Sequence, residues 1–245
     1  MKKWIWCSDL SDSTLETRDT PYFDPPASTS ASLEDVQQLL RVVAVHQLSV
    51  TDEQAARLAH YCRLLWDWNS RLNLTRHTDW DLFVTRDLLD TIELSRHVPK
   101  DSTVMDVGSG GGVPGIVLAI LRPDLKVALC ESIGKKATAL QAIVKALRLP
   151  ITVHADRAET ILKKHRFQVV TVRAVGSISK LLTWFAHVWK SVGQMLLIKG
   201  PRWTEEFAEA ESEGLLNRLK LESIAEWPTP GRDGQSVLLQ IVKGK

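Results

Sequence analysis

The residues best placed to do chemistry are four glycines in a span of five, Gly108, Gly110, Gly111 and Gly112, and a carboxylate further on, Glu131. The glycines follow a run rich in β-branched residues, Thr103 to Val107, and precede Pro114 and the apolar stretch IVLAIL. Glycine tolerates positive φ and lets backbone approach a ligand closely, and proline suits the first helical turn, where its missing N–H costs nothing. The pattern reads as strand, tight turn and helix start, which places a ligand against a helix N-terminus. A second apolar run, KVALC, ends at Glu131, about 20 residues after the first glycine. A carboxylate there can accept both hydroxyls of a ribose, so the pair of features predicts a bound nucleoside. The spacing Gly108-x-Gly110-x-Gly112 is not the G-x-G-x-x-G of dinucleotide enzymes.

These residues need a scaffold, and the rest of the chain supplies one. Strands are predicted at 103–107, 126–130, 150–154, 168–172 and 194–199, with helices at 114–121, 133–148, 157–165 and 177–191 between them. That alternation predicts an α/β domain with a parallel sheet covered by helices. A polar helix over 203–219 leads to KLESIAEW, a loop and VLLQIVK, which form an antiparallel C-terminal hairpin and bring the sheet to seven strands. Ligands of such sheets bind outside the carboxyl ends of the strands. Gly108 to Val113, Glu131, Asp156 to Glu159, Arg173 and Lys199 all fall on that edge. In this reading the glycine turn passes the amino-acid portion of a cofactor, Val113 packs against it, and Ala158-Glu159 lies beside an adenine. By fold analogy the seven strands match class I S-adenosylmethionine methyltransferases better than a dehydrogenase.

Ahead of the sheet, residues 32–98 read as a small helical cap. Ser32 can cap one helix, and Thr51-x-x-Gln54 resembles a capping box before a second, in which Ala55, Leu58, Cys62, Leu65 and Asn69 form a stripe. Trp66 and Trp68 beside that stripe either pack on the body or stack on a base, and a third helical stretch, DWDLFVTRDLLDTIEL, follows. Residues 99–245 form the main domain. Residues 1–30 are rich in Ser, Thr, Asp and Pro and predict a disordered tail, with Trp4 and Trp6 as its only apolar anchors.

At 245 residues, 44% hydrophobic and 24% charged, the chain suits a soluble protein. It lacks an apolar run of the roughly 18 residues a membrane span needs. The N-terminus meets acids before a signal-peptide core could form, so the expectation is cytoplasmic. Cys7, Cys62 and Cys130 are odd in number and far apart, and the seven histidines show no paired ligand spacing, so no metal is expected. The net charge of +2 hides an asymmetry, because residues 133–202 carry thirteen Lys/Arg against two acids, +11 against −9 for the remainder. Such a basic half suits a polyanion, although the same charges can simply solvate helix faces.

From about Leu48 onward the sequence resembles the bacterial 16S rRNA (guanine-N7) methyltransferase family RsmG, also called GidB. The blocks that carry the resemblance are WNSRLNLT at 68–75, RDLLDTIEL at 86–94, MDVGSGGGVPGIVLAI at 105–120, ESIGKKATAL at 131–140, DRAE at 156–159, VRAVG at 172–176 and IKG at 198–200. The resemblance implies methyl transfer from S-adenosylmethionine to guanine N7 in a loop of small-subunit rRNA. It implies cofactor contacts at Gly108, Val113, Ala158, Glu159 and Arg173, to which the reading of the turn and the second strand adds Gly110 and Glu131. Asn73, Arg86 and Lys199 are the candidates for substrate contact. Guanine N7 has an in-plane lone pair and no proton to lose, so alignment is the requirement and no catalytic residue is named. The implied partner is 16S rRNA or the small ribosomal subunit, met by a monomer away from membranes.

The chain departs from the family pattern in four places: Ser109-Gly110-Gly111 for Thr-Gly-Pro or Thr-Gly-Ala, Glu131 for aspartate, Val172 for serine before Arg173, and Asp87 for histidine. Glutamate keeps a ribose acceptor, whereas an acid at 87 would alter an RNA contact. Competing expectations are a methyltransferase of the same fold acting on another RNA or a small molecule, and a non-catalytic RNA-binding module.

Overall fold

The computed structural model describes residues 30–231 and 233–244. The expected tail, with Trp4, Trp6 and Cys7, therefore falls outside the described residues except for its last position.

Both helix-start signals form as their chemistry dictates. The Ser32 hydroxyl accepts from the Asp35 amide while the Asp35 carboxylate accepts from the Ser32 N–H, opening α1 (Leu33–Val45). Thr51 and Gln54 make the same reciprocal pair at the head of α2 (Asp52–Asn69). The third stretch departs from a regular helix. It begins as α3 (Trp80–Leu82), widens into a π-helical turn over Phe83–Leu88, and continues as α4 (Leu89–Ser95). All six residues of the wide turn are buried, Arg86 and Asp87 among them. A widened turn of this kind is common at functional sites.

The sheet has seven strands: β1 (Thr103–Val107), β2 (Lys126–Cys130), β3 (Thr152–His154), β4 (Phe167–Arg173), β5 (Val192–Lys199), β6 (Leu219–Pro228) and β7 (Gln235–Lys243). Their spatial order is β3-β2-β1-β4-β5-β7-β6. The first five run parallel, and β7 is antiparallel to both β5 and β6, as the hairpin expectation required. Helices α5 (Gly115–Leu121), α6 (Gly134–Ala146), α7 (Ala158–Lys164), α8 (Ile178–Phe185) and α9 (Trp203–Ser212) connect them. Two helices are shorter than expected. The one beginning at Trp203 stops at Ser212 because Gly214 turns the chain at φ +68°, and α8 ends at Phe185 before a separate 3-10 turn at Trp189–Ser191.

Strand side chains alternate between two apolar layers, the period of two that a sheet covered on both faces requires. Val104, Val169, Leu196 and Leu238 face the layer formed with α1, α2, α5 and α6, whereas Met105, Val170, Leu197 and Leu239 face the layer formed with α7 and α8. The helices of residues 32–98 thus share one continuous core with the sheet. The topological switch lies between β1 and β4, where Val107 pairs with Val172 and the chain leaves both strands on the same edge. Among the described residues no helix is long and apolar enough to cross a membrane.

Candidate active site

The glycine turn is built from backbone conformations that side chains resist. Gly108, Gly110 and Gly112 sit at φ +66°, +54° and +102°. A Cβ on Gly108 would lie 2.4 Å from the Val175 side chain, and one on Gly112 would lie 2.6 Å from that of Ile116. The turn is pinned from three sides. Gly108 and Ser109 amides both donate to the Cys130 carbonyl at 2.9 and 3.2 Å, Ser109 Oγ donates to the Asp106 carbonyl at 2.9 Å, and the buried Tyr61 hydroxyl donates to the Gly111 carbonyl at 2.8 Å. Asp106 anchors the strand beneath. Its Oδ1 accepts from Thr171 Oγ1 at 3.0 Å and its Oδ2 from the Gly115 amide at 3.2 Å, yet full burial pushes the carboxyl up to about 6.

Three clefts open side by side along the carboxyl edge of the sheet. The middle one, about 330 Å³, is lined by Gly108, Gly110, Val113, Glu131 and Arg173, five of the expected site residues. Ala158 and Glu159 line a neighbouring cleft of about 310 Å³, which also takes the apolar surfaces of Val107, Trp184 and Phe185. Gly108, Ser132 and Val175 belong to both, so the two clefts are continuous. A third cleft, about 570 Å³, is lined by Arg86, Lys199, His77 and Thr229, and it meets the middle one at Arg173 and Ala174. Ala174 holds φ +57° in that shared wall, a strained conformation for a non-glycine residue.

Glu131 is 5% exposed, and its carboxylate is committed to the turn. Oε2 accepts from the Gly110 amide at 2.9 Å and Oε1 from the Ile133 amide at 2.8 Å. Each oxygen keeps a second lone pair, so the amides fix the carboxylate without exhausting its capacity for hydroxyl groups.

Arg173 is the centre of a buried ionic cluster. Its Nη2 donates to Asp87 Oδ1 at 2.6 Å and its Nη1 to Asp90 Oδ2 at 3.3 Å. Asp87 Oδ1 also meets His77 Nδ1 at 3.0 Å, and Asp90 Oδ1 accepts from Trp227 Nε1 at 3.0 Å. Burial raises both carboxyls. At Asp87 the Arg173 guanidinium and His77 outweigh it and hold the group below the usual carboxylate range, whereas at Asp90 burial prevails and the group lies above it.

The other expected residues divide. Lys199 Nζ donates to the Gly176 carbonyl at 2.5 Å and pairs with Glu206 at 2.6 Å, so in this conformation it ties down the loop after β4 while lining the third cleft. Arg86 is 8% exposed, with Nη2 donating to the Pro230 carbonyl at 2.7 Å. Asn73 is exposed, and its neighbours Leu74 and Thr75 are the ones that line the middle cleft. The loop amide that orients them is that of Asn69, whose Oδ1 accepts from the Leu74 and Thr75 amides at 2.8 and 2.9 Å. Trp68 is buried, and Trp66 packs edge-on against Trp80 with centroids 4.7 Å apart while donating to the His77 carbonyl, so both serve packing. His77, Asp90, Tyr61 and Lys136 also belong to the site or brace it. Of these, Asp90 and Lys136 fall in the RDLLDTIEL and ESIGKKATAL blocks that carry the resemblance, without being singled out there.

The residues present fit S-adenosylmethionine. The two continuous clefts offer an apolar end beside Ala158, a carboxylate at the junction, and a glycine cradle at the other end. Beyond the cradle, Asp87 Oδ2 is buried without a partner among the described residues, which suits a cationic ligand.

Comparison with known proteins agrees with this geometry. The model of the GidB family, rRNA small subunit methyltransferase G, matches residues 54–233. The ribosomal RNA small subunit methyltransferase G of Rhodopirellula baltica is 46% identical over 181 residues, covering 74% of this chain and 78% of the relative. That of Chromobacterium violaceum is 34% identical over 206 residues, covering 84% and 96%. Among solved structures, MtNAS in complex with MTA and tNA superposes with a TM-score of 0.52 at 12% identity, covering 86% of each chain, a likeness of fold. With a family model spanning most of the chain and a relative at that identity, this chain belongs to the rRNA small subunit methyltransferase G family.

Proposed function

We propose that this protein transfers the methyl group of S-adenosylmethionine to N7 of a guanine in 16S rRNA. The observation that carries the reading is the meeting of two clefts at Arg173 and Ala174. One side is a glycine-turn cleft shaped for the cofactor, and the other is an open cleft large enough for a nucleobase. The cofactor supplies an electrophilic methyl group. The chain supplies position: Glu131, Arg173 and the glycine turn line the cleft of one partner, and Arg86 and Lys199 line the cleft of the other. Because N7 needs no deprotonation, holding the base in line with the methyl group accounts for most of the work, the entropic advantage of an oriented pair.

Gly108, Gly110, Val113, Glu131, Ala158, Glu159 and Arg173 are assigned to the cofactor, and Arg86 and Lys199 to the wall of the base cleft. Asn73, exposed beside the Leu74–Thr75 wall of the middle cleft, is assigned to contact with the RNA backbone. The +11 charge of residues 133–202 supports a polyanionic substrate. The protein is assigned to the cytoplasm, acting as a monomer on the small subunit or its rRNA. Labelled S-adenosylmethionine offered with naked 16S rRNA and with small subunits tests the reading. We expect one 7-methylguanosine, mapped by mass spectrometry to a single loop; cofactor binding with no transfer to either substrate refutes the RNA assignment.

A further inference from the structure

Asp87 stands where the family pattern has histidine, and its surroundings give that substitution a use. The side chain is 1% exposed, and it lines the middle cleft. Oδ1 accepts from both Arg173 Nη2 and His77 Nδ1. Oδ2 is equally buried and has no hydrogen-bond partner among the described residues. A buried carboxylate oxygen left bare is costly, and native structures rarely keep one without a ligand to meet it.

The charges around it point to the kind of ligand. Two carboxylates, Asp87 and Asp90, pair with the guanidinium of Arg173, and His77 is the second side chain within hydrogen-bond distance of Asp87 among the described residues. Oδ2 is the oxygen of Asp87 that neither Arg173 nor His77 meets. Across the same cleft Glu131 is occupied by two amides, and Lys136 stands at the wall as the match for an anion. Asp87 and Lys136 both line this cleft, so a small zwitterion bound in it would turn its cation toward Asp87 and its anion toward Lys136.

We propose that Asp87 Oδ2 is the acceptor for the α-ammonium group of the cofactor's amino-acid portion, and that Arg173 and His77 hold the carboxylate in place for it. The assignment rests on the middle cleft being the cofactor site. It makes Asp87 a binding residue particular to this chain, with Arg173 and His77 as positioning residues acting through it.

Calorimetry on the full chain tests this with four ligands: S-adenosylmethionine, S-adenosylhomocysteine, its desamino analogue lacking the α-ammonium, and methylthioadenosine, which lacks the whole amino-acid portion. A hydrogen bond to a charged group sets the expected scale at about ten- to a hundredfold. For the wild type, removal of the ammonium should weaken S-adenosylhomocysteine by that factor. Asp87→Asn should weaken S-adenosylmethionine and S-adenosylhomocysteine by the same factor and leave methylthioadenosine and the desamino analogue within about twofold.

An equal loss for methylthioadenosine would make Asp87 structural and overturn the proposal. A loss confined to S-adenosylmethionine would move the contact to the sulfonium and overturn it as well. The wild-type pair of ligands decides the matter even if the variant folds poorly, since equal affinity for S-adenosylhomocysteine and its desamino analogue refutes the ammonium contact. Failure of the wild type to bind all four ligands would instead remove the cofactor-site reading on which the proposal stands.

Discussion

Replacing Arg173 by methionine is the most severe small perturbation the structure offers. The guanidinium lies 2.6 Å from Asp87 and 3.3 Å from Asp90, and their side chains are 1% and 13% exposed. Methionine fills the volume but leaves both carboxylates buried without their cation. Removing one partner of a buried pair costs about 3 to 5 kcal/mol. The proton sets a ceiling, since a carboxyl with an ordinary value of 3.8 can be neutralised at pH 7 for about 4 kcal/mol and at pH 4.5 for about 1 kcal/mol. In the wild type Asp87 is held below its ordinary value, so its stabilisation is present above pH 3.8 and is lost only as pH falls through that lower value. In R173M only His77 and Trp227 still oppose burial, so the folded values rise and the penalty fades as pH falls. The difference between wild type and R173M should therefore be about 3 to 5 kcal/mol at pH 7, or about 6 to 20 °C in Tm for a chain of this size, and shrink to about 1 to 2 kcal/mol at pH 4.5. Urea unfolding and thermal melts at the two pH values measure it. A penalty equal at both, or one below about 1 kcal/mol at pH 7, would refute the account of Arg173 as the counter-charge of this cluster.

Two further outcomes follow from the glycine turn and its anchor. Gly108→Ala must place a Cβ 2.4 Å from the Val175 side chain at φ +66°, and Val175 lines both cofactor clefts. Calorimetry should show cofactor affinity reduced at least about tenfold, with part of the loss restored in G108A/V175A; undiminished affinity would show that the turn yields freely. Asp106, raised to about 6 from 3.8, contributes stability that is full below pH 3.8 and is lost as pH rises through 6. Relative to D106N, the wild type should lose about 3 kcal/mol between pH 4 and pH 7.5 by denaturant titration, and parallel pH profiles for the two proteins would contradict that assignment.

What the sequence conveyed and what it withheld divide along physical lines. The glycine turn, Glu131 at the tip of β2, the Ser32 cap, the capping box at Thr51, and the alternation of strand and helix are local patterns, encoded within a few residues of where they act. The cluster around Arg173 is not local. Asp87, Asp90 and Trp227 are joined by contacts that only the finished topology creates, and the π turn that carries Asp87 inward leaves no distinctive period in DWDLFVTRDLLDTIEL. Asn73 shows the limit from another side. The amide that shapes the loop belongs to Asn69, four positions earlier, because a turn side chain binds backbone ahead of it rather than the cleft beside it.

The ties that complete the site also set when it can exist. Arg86 reaches Pro230 across 144 residues, Trp227 reaches Asp90 across 137, and Arg173 reaches Asp87 across 86. Contacts so distant along the chain are closed late, after the entropy of large loops has been overcome. During synthesis the glycine turn emerges and can fold onto β1 and β2 well before β6 has been made. The Trp227 partner of Asp90 and the Thr229 to Ser236 wall of the third cleft have to wait for that last hairpin. A nascent chain therefore holds the wall of the middle cleft before that of the third, and the third cleft is complete only once the final two strands dock.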